Sequence, residues 1–184
     1  EYIDENDDNF TKNVINILIN TDIYKTTMIN TISDIYFNQF DKQILKTDID
    51  YYYLKVYQQK LNLEDEKLLK LVLELNKETN TFINKINEIY EEILKRKAED
   101  DEIVEGLDIY RSNVKLDPSF YIKDILYESM EYHDVLKKWI IETFKLSKNS
   151  TIYSVLRFIL ENKDSKIKRD KSLLKELVSK EFTF

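Results

Sequence analysis

Glycine, proline, alanine and cysteine are almost missing from this chain of 184 residues, which contains one Gly, one Pro, one Ala and no Cys. Hairpins and β-sandwiches depend on turns that contain Gly, so this shortage disfavours folds built from many short strands. A chain with so few helix breakers is free to run as helix over long stretches. The sequence therefore predicts an all-α fold.

The same shortages exclude several kinds of chemistry. Without Cys the chain has no disulfide framework, no thiol nucleophile and no zinc-thiolate site. One Gly is too few for the phosphate-binding loops of P-loop and Rossmann proteins. A single His excludes the two-histidine zinc motif and the ferritin-like di-iron site. No apolar run approaches the roughly 20 residues that span a bilayer. We therefore predict no metal, no cofactor and no membrane span.

The residues that replace the missing ones are mainly Ile, Asn, Lys, Tyr and Asp, and Lys outnumbers Arg by 24 to four. Gly, Pro, Ala and Arg, which are all depleted, have GC-rich codons, so this composition indicates an AT-rich genome. Richness in Asn or Lys is consequently poor support for any particular function.

The hydrophobic content is sufficient for a large core. Hydrophobic residues make up 42% of the chain and include 13 Tyr and nine Phe, which argues against disorder. The length suits one domain. We predict a single helical domain over 1–184, with an acidic lead-in at 1–8. A C-terminal helical subdomain at 118–184 is an alternative within this organisation.

The strongest periodic signal is a seam of residues, all apolar except Thr79, that are separated alternately by four and three positions. Its members are Leu68, Val72, Leu75, Thr79, Phe82, Ile86, Ile89 and Ile93. The spacing predicts one helix at about 63–97, with six to eight helices arranged around it as a bundle. A dimeric coiled coil through the 68–93 seam is the alternative. The wide apolar face favours the bundle.

Several helix boundaries follow from local signals. Thr21-Asp22 and Asp117-Pro118 are typical of helix starts, the second because Pro suits the first helical position. Gly106, which follows an acidic cluster, indicates a helix end or turn nearby. A later helix is expected to break near Tyr132–Asp134. Ser150 is expected to cap the helix after that.

The densest aromatic cluster consists of Tyr51, Tyr52, Tyr53 and Tyr57. Consecutive residues of a helix point about 100° apart, so the first three rings cannot all be buried together. Tyr is favoured at protein interfaces because it combines an apolar ring with a polar tip. These four residues are the predicted interface, although core packing combined with codon bias is the simpler explanation of the cluster.

Charge is unevenly distributed along the chain. Residues 1–144 hold 18 basic and 30 acidic side chains, whereas residues 145–184 hold 10 basic and five acidic ones. A basic stretch near the C-terminus offers contacts to anions; it consists of Lys163, Lys166, Lys168, Arg169 and Lys171. Nucleic-acid binding through 163–171 is an alternative function. A solvated turn is the simpler interpretation, because no aromatic residues alternate with the basic ones.

His133 is the only histidine and stands beside acidic residues, which is one arrangement for a general base. No partner residue lies at a spacing typical of a catalytic motif. We therefore predict no catalytic residue and no enzyme activity.

The predicted function is a non-catalytic helical protein-interaction or scaffold module, as a subunit or fragment of a larger assembly. The alternatives are the nucleic-acid-associated domain and a helical pathogen surface or effector protein that binds a host partner. The composition favours the cytoplasm or nucleus and leaves an extracellular or surface-attached location open. The partner, the biological process and the oligomeric state are not encoded in any motif.

Overall fold

The computed structural model describes residues 21–58, 65–112, 117–162 and 169–182. These residues are 85% helical, in eight helices, and no strand occurs among them. The helices are α1 (Asp22–Phe40), α2 (Lys46–Gln58), α3 (Asp65–Ile93), α4 (Asp100–Arg111), α5 (Pro118–Glu128), α6 (Met130–Phe144), α7 (Asn149–Glu161) and α8 (Lys171–Glu181). The all-α prediction is confirmed. The acidic lead-in at 1–8 lies outside the described residues.

Side chains at the helix N-termini explain where several helices begin. Thr21 caps α1, where its Oγ1 accepts a hydrogen bond of 3.2 Å from the backbone N–H of Tyr24. Asp117 caps α5 by accepting from the N–H of Ser119 at 2.9 Å, and Pro118 is the first helical residue. Both predicted starts are confirmed, because a short polar side chain satisfies an N–H that has no partner within the helix.

Two other boundary predictions are wrong. The break expected near Tyr132–Asp134 lies at Ser129, which separates α5 from α6 and caps α6 by accepting from the N–H of Tyr132 at 3.1 Å. The predicted cap Ser150 lies inside α7, because that helix begins at Asn149 and its N-cap position is Lys148. Lys148 makes no capping hydrogen bond through its side chain, so no local signal marks this start.

Three helix ends use the left-handed conformation without glycine. The positive φ angles are 50° at Asp41, 64° at Lys95 and 52° at Lys145. Lys95 explains why α3 ends at Ile93 and does not reach residue 97 as predicted. The start predicted at residue 63 falls outside the described residues. Glycine is the usual residue at such positions because it has no Cβ to clash there.

The chain forms two compact units, Glu1–Asn80 and Thr81–Phe184, and the boundary falls within α3. The long helix therefore contributes residues to both units. That both units belong to one domain stays a prediction. The alternative of a C-terminal subdomain at 118–184 also stays a prediction.

The core of the first unit is built from α1, α2 and the first part of α3. Its buried residues are Met28, Ile32, Tyr52, Val56, Leu68, Leu71, Val72 and Leu75. Two tyrosine hydroxyls join the shorter helices to α3. Tyr36 donates to Oδ1 of Asn76 at 3.1 Å, and Tyr51 donates to Oε2 of Glu78 at 2.9 Å.

The last three residues of the seam lie in the core of the second unit. Ile86, Ile89 and Ile93 are buried there with residues of α4 to α8, among them Leu107 and Ile140. All the seam residues except the partly buried Phe82 are thus buried within the chain. The structure gives no support to a homo-oligomer through 68–93, because this apolar face is already used inside the molecule.

Gly106 lies inside α4 and is buried, so the prediction of a helix end near it is wrong. The reason for a glycine is steric. A Cβ added at this position would lie 2.7 Å from Cδ1 and 3.0 Å from Cγ1 of Ile86. The single glycine of the chain therefore permits the close approach of α4 to α3.

A charged network joins the segment after α3 to α4 and α6. The guanidinium of Arg96 donates two hydrogen bonds to Glu102, at 2.7 and 2.8 Å, and two to Glu131, at 2.6 and 2.7 Å. It also lies 5.4 Å from the ring centre of Tyr90, whose pKa is raised to about 12, chiefly by burial. Hydrogen bonds from Arg96 lower the pKa of both Glu102 and Glu131.

Replacing Arg96 by Gln is expected to lower the free energy of unfolding at pH 7 by about 1 kcal/mol, since these ion pairs are partly exposed. The lowered glutamate pKa values mean that the folded state holds fewer protons than the unfolded state. The stabilisation is therefore complete above the ordinary glutamate pKa and is lost as the pH falls through the lower folded values. Urea unfolding followed by circular dichroism, at pH 7 and at about pH 3, should show the difference between variant and parent narrowing in acid.

Arg157→Gln is the matched control, because Arg157 forms an exposed pair with Glu161 within one helix. It should change stability little at either pH. An Arg96→Gln deficit that is equally large at both pH values would contradict the electrostatic explanation.

Candidate protein-interaction surface

His133 lies half-buried in the first turns of α6, and its backbone N–H donates to the carbonyl oxygen of Ser129 at 3.3 Å. Of its acidic neighbours in sequence, Glu131 is bound by Arg96. Within the described ranges, no group of three or more His, Cys, Asp or Glu residues is placed to hold a metal ion. None of the described helices has the length and apolarity required to cross a membrane.

The structure separates the four predicted interface tyrosines. Tyr52 is 1% exposed and belongs to the core of the first unit, so its ring is not available to a partner. Tyr51 is half-buried, with its hydroxyl on Glu78 and the ammonium of Lys55 at 5.2 Å from its ring centre. The expectation that the three consecutive rings cannot all be buried is confirmed.

The other two tyrosines lie near each other on α2, where Tyr53 is partly buried against the core and Tyr57 is exposed. The ring centres of Tyr53 and Tyr57 are 6.2 Å apart, and Leu54 beside them is 47% exposed. Tyr57 is 40% exposed, and the ammonium of Lys25 lies 5.5 Å from the ring centre of Tyr53. Burial raises the pKa of Tyr53, so its hydroxyl stays neutral. We call Tyr53, Leu54 and Tyr57 the tyrosine surface.

The first unit also has a groove that the sequence did not reveal. It has a volume of about 360 Å³ and lies where α1 turns into α2. Phe37, 50% exposed, lies at this groove. The lining residues are Ser33, Asp34, Phe37, Gln43, Ile44, Lys46 and Ile49. Phe37 is visible in the sequence as a large aromatic residue, but its exposure follows only from which side of α1 is buried.

The basic stretch is only partly within the described residues. Lys163, Lys166 and Lys168 lie outside them. Lys171 is the first residue of α8, where burial and the nearby ammonium of Lys95 lower its pKa. Arg169 forms an ion pair with Asp124 of α5. One of the five predicted anion contacts is therefore already engaged by a carboxylate of the same chain.

The contacts of Arg169 extend to two aromatic rings of α5. Its guanidinium carbon lies 5.0 Å from the ring centre of Phe120 and 5.4 Å from that of Tyr127. Beside these residues, Tyr121 and Ile125 are each about half exposed, at 50% and 51%. Helix α5 thus has a partly apolar exposed side. The sequence predicted where this helix begins, at Asp117-Pro118, but not which of its sides is exposed.

Comparisons with known proteins find no match to this chain among family models, curated proteins or solved structures.

Proposed function

We propose that this chain is a non-catalytic helical protein-interaction or scaffold module, and that it works as a subunit or fragment of a larger assembly. The observation that carries the proposal is the tyrosine surface of α2. Leu54 and Tyr57 are exposed and Tyr53 is partly exposed beside them, on a helix that also contributes Tyr52 and Val56 to the core of the first unit.

Exposed apolar side chains are common when they occur singly, whereas adjacent ones form a patch with a binding potential. Tyrosine suits this role because its ring is buried on binding while its hydroxyl keeps a polar partner. The rings of Tyr53 and Tyr57 are in contact range with each other, and the ammonium of Lys25 lies over the ring of Tyr53. The patch is therefore held in place before a partner arrives, which reduces the entropy lost on binding.

The test compares the intact chain with a variant in which Leu54 is replaced by Asp. Both are crosslinked to their neighbours in cells of the source organism, and the captured proteins are quantified by mass spectrometry. We expect the variant to lose about tenfold or more of the specific partner, since a charge placed centrally in an interface removes more than about 1.4 kcal/mol of binding. Tyr57→Ala should reduce the same partner.

Leu73→Asp is the matched control, because Leu73 is 40% exposed on α3 of the same unit and lies outside the tyrosine surface. It should leave capture unchanged. Equal recovery by the parent, Leu54→Asp and Leu73→Asp would show that the tyrosine surface is not the binding site. Recovery that disappears after nuclease treatment would favour the nucleic-acid alternative.

A further inference from the structure

One side of α5 and a residue from the segment before α8 together enclose a guanidinium group. Phe120, Asp124 and Tyr127 are separated by four and three positions, so they lie on one side of the helix. Arg169 places its guanidinium over both rings and pairs with the carboxylate of Asp124. We call Phe120, Asp124 and Tyr127 the arginine cage.

The cage matches the chemistry of arginine more closely than that of lysine. A guanidinium is planar, so its faces stack on aromatic rings while its edge donates hydrogen bonds to a carboxylate. The cage supplies both kinds of partner. Burial raises the pKa of Tyr127, so its hydroxyl is neutral and its ring keeps the electron-rich face that attracts a cation.

The cage is open to solvent even with Arg169 in place. The side chain of Asp124 is 39% exposed and that of Arg169 is 28% exposed. Phe120 is 49% exposed, and the apolar residues Tyr121 and Ile125 continue the exposed face of the helix. Arg169 thus fills the part of this surface that binds a cation, whereas the apolar part, Tyr121 and Ile125, stays exposed.

We propose that the arginine cage is a recognition site for an arginine side chain of another protein, carried on a segment that also presents an apolar residue to Tyr121 and Ile125. Arg169 is its intramolecular occupant and competes with the incoming arginine. Asp124 supplies the negative charge that such a cationic segment needs, and the two rings of the cage offer faces on which its guanidinium can stack. This proposal concerns the second unit and does not depend on the tyrosine surface.

The competition follows from what each occupant contacts. An incoming arginine repeats every contact of Arg169, and its apolar neighbour adds contacts on Tyr121 and Ile125 that Arg169 does not make. The advantage of Arg169 is its tether, which gives it an effective concentration on the order of millimolar. Removing Arg169 should therefore expose the full affinity of the cage.

The test measures the binding of a short fluorescent peptide that carries one Arg between two Leu residues in a Gly-Ser background, by fluorescence polarisation on the intact chain. Replacing Arg169 by Gln should tighten binding about tenfold or more, because the competitor is gone. The same peptide with Lys in place of Arg should bind the variant more weakly. Adding Asp124→Asn to the Arg169→Gln variant should abolish the gain.

Arg157→Gln removes another arginine of the same unit from its own ion pair and should bind the peptide as the parent does. Circular dichroism establishes that the variants are folded. If Arg169→Gln is unfolded, Arg169→Lys replaces it, and a smaller gain with the same preference for Arg over Lys is expected. Equal affinities for the parent and the Arg169 variant, or a gain that survives Asp124→Asn, would overturn the proposal.

Discussion

Replacing Ile86 by Asp should lower the free energy of unfolding by about 3–5 kcal/mol, the range for an unpaired charge or a large defect placed in a core. Ile86 is 0% exposed and belongs to the core of the second unit. A carboxylate at this position would lose its water without gaining a partner, or would take up a proton as a neutral acid, and either state costs stability. Urea unfolding followed by circular dichroism measures the change.

Ile125→Asp is the matched control, because it makes the same substitution at an isoleucine that is 51% exposed. It should shift the unfolding midpoint only slightly. If Ile86→Asp unfolded at the same urea concentration as the parent, Ile86 would be accessible to water in solution, and α3 would not contribute to the core of the second unit.

Replacing Gly106 by Ala should destabilise the protein, against the usual trend for helices. In the interior of an ordinary helix, Gly→Ala stabilises by about 1 kcal/mol. Here the new Cβ would lie 2.7 Å from Cδ1 of Ile86, closer than carbon atoms pack. Ile86 is branched and fully enclosed, so it has little room to move, and the expected net loss is about 1–3 kcal/mol, typical of an overfilled core.

The cause is tested by a second substitution at the neighbouring position. Ile86→Val removes Cδ1, the atom that the new methyl group would strike. In the Ile86→Val background, Gly106→Ala should cost markedly less, so a double-mutant cycle should give a favourable coupling between the two sites. Additive effects of the two substitutions would show that the clash is not the reason for the glycine.

The features that the sequence predicted well are those set by neighbours along the chain. The seam from Leu68 to Ile93 follows from helical periodicity, and the α5 start follows from the chemistry of Asp117 and Pro118. The prediction of a helix end near Gly106 is wrong because the role of this residue depends on a distant part of the chain. Its environment is set by Ile86, a residue of another helix, and a single sequence carries no signal that pairs the two.

The candidate surfaces divide in the same way. Helical geometry required that the three consecutive tyrosines not be buried together, but only the packing of α2 shows that Tyr52 is the buried one. The pairing of Arg169 with Asp124 joins residues 45 positions apart. Both were visible as charged residues, yet neither the pair nor its two aromatic neighbours could be inferred from spacing.

Glycine commonly has two structural uses in proteins: it permits close contacts between helices, and it adopts the left-handed conformation at helix ends. The chain keeps its one glycine where a helix crossing leaves no space for a methyl group, and assigns the left-handed helix ends to Asp41, Lys95 and Lys145. A side chain in that conformation costs about 1 kcal/mol relative to glycine. The collision at Gly106 must cost more than this, because the expected net loss of about 1–3 kcal/mol remains after the gain in helix propensity from alanine. A compositional pressure that removes glycine is therefore expected to spare the glycine at this contact between α3 and α4 longest.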